Sequence, residues 1–149
     1  LAAQLQDHTL HRLYHGVVVG ALKEDAGTVN APIDRNPKDR KKMAVVAGGR
    51  EAVTHYTVLE RFSGYTYAAF RLETGRTHQI RVHMAHLGHP LLGDTVYGAA
   101  KGYPALAGQC LHAKELTFLH PSTGEPVTVE GPLPGYFTDI LEKLRRREG

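Results

Sequence analysis

Apolar and polar positions change period several times along the chain, and each change predicts an element. Residues 13–22 (LYHGVVVGAL), valine-rich and bounded by glycine and charge, read as a buried strand. Residues 52–62 and 65–73 are β-rich, and the second alternates Tyr65, Tyr67, Ala69 and Arg71 with Thr66, Ala68, Phe70 and Leu72. The short Ser63-Gly64 link between them predicts an antiparallel hairpin. From Thr77 the period lengthens. Ile80, Met84 and Leu87 fall four and three apart, Thr77 is an acceptable N-cap, and Gly88 stands where the helix should end before Pro90. Arg76 is thereby expected at the mouth of a helix. Residues 111–119 and 126–129 read as a further strand pair. Residues 133–147 read as a helix with Phe137, Ile140, Leu141 and Leu144 on one side.

Between these elements lie segments with turn chemistry. Residues 27–33 (GTVNAPI) are expected to turn the chain, and 35–42 (RNPKDRKK), with five basic residues against one acid, to form a solvated loop. Residues 93–98 are turn-rich and lead into a Gly/Ala/Pro loop over 99–108. Residues 1–6 (LAAQLQ) read as a helix entered part-way, without a cap in front, so further chain is expected upstream. Strands in runs with interspersed helices, instead of a regular βαβ alternation, predict one α+β domain with a largely antiparallel mixed sheet and flanking helices.

Composition narrows the partners without choosing one. With 149 residues and 42% hydrophobic content, the chain can bury a core as one domain. A net charge of +3 permits a polyanionic partner and does not demand one. Cys110 is the sole cysteine, which excludes an intramolecular disulfide and fits a reducing, cytoplasmic compartment. Its neighbours Gln109 and Leu111 favour a buried thiol over a reactive one. No apolar run approaches the roughly 20 residues that span a bilayer, so no membrane partner is expected.

The most informative stretch is 71–98. Its run ETGRTHQIRVH (73–83), followed by GHP (88–90) and GDTVYG (93–98), resembles the RluA family of RNA pseudouridine synthases, and most of all its RluD branch. Flanking pieces agree: Tyr14 opening a valine-rich strand, Pro32-Ile33 before the basic loop, AVTHY (52–56), and LHA (111–113) before His120-Pro121. The resemblance reaches from about His11 to Pro134 and implies the C-terminal portion of one catalytic domain. It implies isomerisation of uridine in RNA, leaning towards large-subunit ribosomal RNA, with no cofactor and no metal. The family's nucleophile is an aspartate, and the target base must leave its stack before attack.

Carried over residue by residue, the resemblance makes Arg76 the arginine that pairs with that aspartate and Tyr14 the active-site tyrosine. A guanidinium beside a partly buried carboxylate keeps it ionised and orients it through paired hydrogen bonds. On residue type alone, Arg76 reads as a surface arginine bonded to an acid such as Glu73, and Tyr14 as core. His11-Arg12-Leu13-Tyr14 resembles the family's His-Arg-Leu-Asp nucleophile motif with tyrosine in place of aspartate, but no Thr/Ser-Gly pair follows and Tyr14 is already assigned to the later strand. The nucleophile is therefore expected upstream of Leu1, and this chain alone is expected to be inactive. Asp94, in a Leu-Gly-Asp turn, reads as a structural capping residue.

RNA contact falls first to Arg35, Lys38, Arg40, Lys41 and Lys42, with His78 and Arg81 of the motif, and more weakly to Lys101, Arg145, Arg146 and Arg147. Each basic residue reads equally as a solvated charge. Two rivals remain: an RNA-binding module without catalysis, and a metal site built from His78, His83, His86 and His89. Against the metal site, no carboxylate lies within that cluster, and Pro90 follows at the helix exit.

Overall fold

The computed structural model describes residues 11–99 and 108–148. Its main feature is a six-stranded sheet in the order β2-β5-β6-β1-β7-β8, built from β1 (His11–Val19), β2 (Ala26–Asn30), β5 (Val53–Phe62), β6 (Tyr65–Leu72), β7 (Leu111–Leu119) and β8 (Pro126–Glu130). A separate two-stranded hairpin pairs β3 (Ile33–Asn36) with β4 (Asp39–Val45). Every ladder among the described residues is antiparallel. Two helices, α1 (Gln79–His86) and α2 (Gly135–Glu148), complete the α+β fold.

Strand alternation splits the core into two faces. Val18, Ala68, Phe70 and Leu72 pack with Ile80 and Met84 of α1, and Tyr14 joins this cluster. Val17 and Tyr67 face the other way, against Phe137, Ile140, Leu141 and Leu144 of α2. Cys110 is buried on the α2 side, and burial pushes its thiol up to about 12, which makes it a packing group and a poor nucleophile. A third cluster, Ile33, Ala52 and Val82 with Met43, Val45 and Tyr97 against it, docks the small hairpin on α1.

Three sequence expectations need correction. Residues 27–33 are no turn: Ala26–Asn30 pairs with β5 from Thr57 to Val53 as an edge strand. Residues 35–42 are no loop: they run through β3 and β4, with only Pro37 and Lys38 at the tip. Their charges sit at the outer end of the strand pair, where side chains on both faces are largely exposed, which erases the alternation that marks a half-buried strand. Thr77 is not the N-cap of α1, because the chain turns once more there, with Gln79 N donating to Arg76 O, and His78 takes the cap position. The hairpin over β5 and β6 forms as expected, as does the left-handed Gly88 (φ 86°) after α1. The helix expected over 1–6 lies outside the described residues.

His83, on α1, is fully buried between strands. Its Nε2 lies 2.9 Å from the Ala31 carbonyl and its Nδ1 2.8 Å from Thr54 Oγ1. A neutral ring with its hydrogen on Nε2 satisfies both, since the threonine hydroxyl can donate to Nδ1. Burial holds its pKa below the ordinary 6.5; the Ala31 hydrogen bond opposes this and His86 adds to it. The unfolded chain therefore takes up the proton first as pH falls, so stability present above 6.5 drains away as pH drops from 6.5 towards the folded value. Urea midpoints measured from pH 8 to 5 should fall, and His83→Gln should make that fall shallower. An unchanged slope would remove His83 from the account.

Candidate active site

The α1 face of the sheet ends in an open cleft of about 280 Å³. Tyr14 from β1, Leu72 from β6, Arg76 and His78 before α1, Ile80 and Arg81 within it, and Leu111 on β7 all line it. Tyr14 and Arg76, 62 positions apart in sequence, thus share one cavity. The route is local on each side. Tyr14 lies opposite Phe70 on β6, and the ladder to β7 shifts register between Leu13 and Tyr14. Arg76 is delivered by the turn that leaves β6 and enters α1.

That turn is held by Gln79, whose side-chain amide is buried and satisfied at both ends. Its Oε1 accepts from Thr74 Oγ1 at 2.8 Å and from Arg76 N at 3.0 Å. Its Nε2 donates to the Val53 carbonyl and to Thr54 Oγ1, both at 2.9 Å. The Thr74 hydroxyl in turn accepts from Val53 N at 2.9 Å. Arg76 therefore leaves a backbone fixed to β5. Its Nε donates to the Glu51 carbonyl at 2.6 Å, and among the described residues its two Nη groups have no partner. Glu73, the acid that a surface reading would give to Arg76, instead pairs with His55.

His78 follows in the left-handed region (φ 55°, ψ 28°), a conformation that costs a non-glycine residue about 1–3 kcal/mol. Its Nδ1 lies 2.8 Å from the Tyr97 hydroxyl. Burial, then the Arg81 guanidinium, hold its pKa below the ordinary histidine value, with Asp94 acting in the opposite sense. Arg81 itself is committed: Nε and Nη2 donate to the two Asp94 oxygens at 2.9 and 3.0 Å, and its guanidinium lies 4.9 Å from the centre of the Tyr97 ring. Asp94 also accepts from Tyr97 N, the structural role its turn context suggested.

A second cavity of about 300 Å³ continues past Arg76 and His78 to the small hairpin, where Arg35, Lys41 and Arg50 line it with Asp34. Arg35 is held there by its Nη1, which donates to the Arg40 carbonyl. Of the candidate RNA residues, the structure thus brings Arg35, Lys41, His78 and Arg81 to two adjoining cavities, which also share the candidate catalytic Arg76. Lys38 and Arg40 are exposed and Lys42 half-buried on the same hairpin, and none of the three lines either cavity. Arg145 is bonded to Glu60 at the α2 side and Arg146 to Glu142, so neither faces the cleft. Lys101 and the side chain of Arg147 lie outside the described residues. The four motif histidines diverge: His78 meets Tyr97, His83 lies in the core, His86 is exposed, and His89 bonds the Val19 carbonyl.

Sequence reasoning missed Arg12, Gln79, Arg50 and Gln109. Arg12 lines the cleft beside Tyr14, with its guanidinium 5.8 Å from that ring's centre. The signal was present, since residues two apart on a strand share a face. Nothing in the local sequence marks Arg50 or Gln109.

A family model described as RNA pseudouridylate synthase matches residues 1–86, more than half of the chain. The chain belongs to that family. The chain is 49% identical to an uncharacterized RNA pseudouridine synthase of Synechocystis sp., over 99% of its own length and 46% of that protein's. It is 50% identical to ribosomal large subunit pseudouridine synthase D of Xanthomonas campestris, over 97% of its length and 47% of that protein's. It therefore spans just under half the length of these relatives. Its fold matches human RNA pseudouridylate synthase domain containing 1 with a TM-score of 0.77 and 25% identity, covering 96% of this chain and 69% of the other.

Proposed function

We propose that this chain forms one wall of the active cleft of an RNA pseudouridine synthase. The reaction breaks the bond from C1′ of the sugar to N1 of uracil and joins C1′ to C5, releasing the C5 proton. Large-subunit ribosomal RNA is the substrate we favour, since relatives such as the Xanthomonas protein carry that substrate in their names. The chemistry needs no metal and no cofactor, and the single buried thiol suits a cytoplasmic setting.

One observation carries this reading: an aromatic ring and an arginine with unengaged Nη groups share a cleft that, among the described residues, has no carboxylate in its lining. Tyr14 can stack on a base withdrawn from its helix, while Arg76 can hold a carboxylate in the ionised form through paired hydrogen bonds. That carboxylate, the nucleophilic aspartate, would come from sequence outside these 149 residues. The second cavity supports an RNA path along Arg35 and Lys41, with Lys38, Arg40 and Lys42 adding charge from the hairpin. Arg81 contributes its charge from a fixed position, because Asp94 already takes two of its donors.

Release of tritium from ribosomal RNA labelled at C5 of uridine tests the proposal. The full-length protein should release it, and the 149-residue chain alone should release none above background. A rate for the chain comparable to that of the full-length protein would show that the carboxylate lies within it. The basic hairpin and the fold also fit a second reading, an RNA-binding module without catalysis. RNA binding by a full-length protein that releases no tritium would decide for that module.

A further inference from the structure

Tyr97 stands outside the catalytic pair yet touches three of the segments that shape the cleft. Its hydroxyl lies 3.0 Å from Met43 N on β4 and 2.8 Å from His78 Nδ1, and its backbone N–H donates to Asp94. The ring meets His78 edge to face, with centroids 5.6 Å apart, and carries Arg81 on its surface.

A count of protons sets the direction of these bonds. The Met43 N–H can only donate, so the phenolic oxygen accepts it. The hydroxyl has one proton of its own, and His78 Nδ1 is the one acceptor recorded for it among the described residues. Were His78 to donate through Nδ1 instead, the oxygen would accept twice and its proton would have only solvent to turn to. Satisfying every group gives one chain: Met43 N–H to Tyr97 oxygen, Tyr97 hydroxyl to His78 Nδ1. A neutral imidazole that accepts at Nδ1 carries its hydrogen on Nε2. Burial and the neighbouring Arg81 favour the neutral ring. Among the described residues Nε2 has no hydrogen-bond partner, and the side chain lines both cavities.

We propose that Tyr97 is a positioning residue whose hydroxyl fixes His78 as the Nε2–H tautomer, so that His78 presents one neutral donor to an oxygen of the RNA strand where the two cavities meet. The inference rests on the reading of this cleft as an RNA site, but its first half concerns this chain alone. It assigns the strained turn at His78 a use that the arginines cannot supply, an uncharged donor among cations.

Two measurements test it. Long-range 1H–15N spectra of the protein labelled in histidine, with His78 assigned by its loss in His78→Asn, should show a single Nε2–H tautomer at neutral pH. Tyr97→Phe should convert it to a mixture. An Nδ1–H ring in the unaltered protein, or no change in Tyr97→Phe, overturns the positioning role. In binding to a fluorescent uridine-containing RNA hairpin, Tyr97→Phe and His78→Asn should each raise Kd about tenfold, the scale of one lost hydrogen bond. His78→Gln, whose amide N–H can stand near the Nε2 position, should recover most of that loss. Equal losses in the Asn and Gln variants would refute the donor. Absence of RNA binding by the unaltered protein would refute the RNA reading, and the spectra would still judge Tyr97.

Discussion

Arg76→Met in the full-length protein is expected to slow tritium release by about a hundredfold or more, with little change in folding. The argument is one of charge and geometry. A preorganised donor aimed at a reacting anion is worth about 10²–10³ in rate when removed, and a guanidinium offers two such donors in a fixed fork. The Arg76 side chain contributes little to the fold: it is half-exposed, and its recorded bond is Nε to the Glu51 carbonyl. A stability loss near 1 kcal/mol is the scale of that bond. Arg76→Lys should recover only part of the rate, because an ammonium cannot reproduce the paired contact. Activity of Arg76→Met within a few-fold of the unaltered protein would remove this arginine from the chemistry.

The largest loss of stability is expected at Asp94. Its side chain is 1% exposed and its partner Arg81 is 14% exposed, so the bridge is made almost wholly out of water. Removing one member of such a pair leaves the other charge buried without compensation, which costs about 3–5 kcal/mol. Asp94→Ala should therefore lower the urea midpoint by that amount in free energy. Asp94→Asn, which keeps one acceptor for the Tyr97 N–H, should lose less. A double-mutant cycle with Arg81→Met would show strong coupling, because removing both charges also removes the uncompensated one. A loss under about 1 kcal/mol in Asp94→Ala would show that water reaches Arg81 and that the pair is not structural.

The parts of the fold visible in the sequence were those in which one face is buried and the other wet. The Tyr65–Leu72 strand alternates, Ser63-Gly64 closes its hairpin, and Phe137, Ile140, Leu141 and Leu144 mark a helix by their spacing. Where both faces meet water, or an edge strand is short, that signal fails. Residues 35–42 looked like a charged loop for the first reason, and 27–33 like a turn for the second, since Gly27, Asn30 and Pro32 carry turn chemistry inside or beside an edge strand. The site divides similarly. Tyr14 and Arg76 were legible only through the family motif, because neither periodicity nor residue type separates them from core and surface. Gln79 and Tyr97 were invisible as site residues. Their roles lie in hydrogen bonds to Val53, Thr54 and Met43, partners 25 to 54 positions away.

The four hydrogen bonds of Gln79 have a mechanical meaning. They join the first turn of α1, the backbone of Arg76 and the strand at Val53 and Thr54 into a single piece that cannot shear without leaving a buried amide unmatched. This side of the cavity therefore behaves as an anvil. The outlying β3–β4 arm is tied more lightly, by the paired Ile33–Arg50 backbone bonds, a few apolar side chains against α1 and the Tyr97 hydroxyl, so under the proposed function any yielding to an RNA strand would fall there.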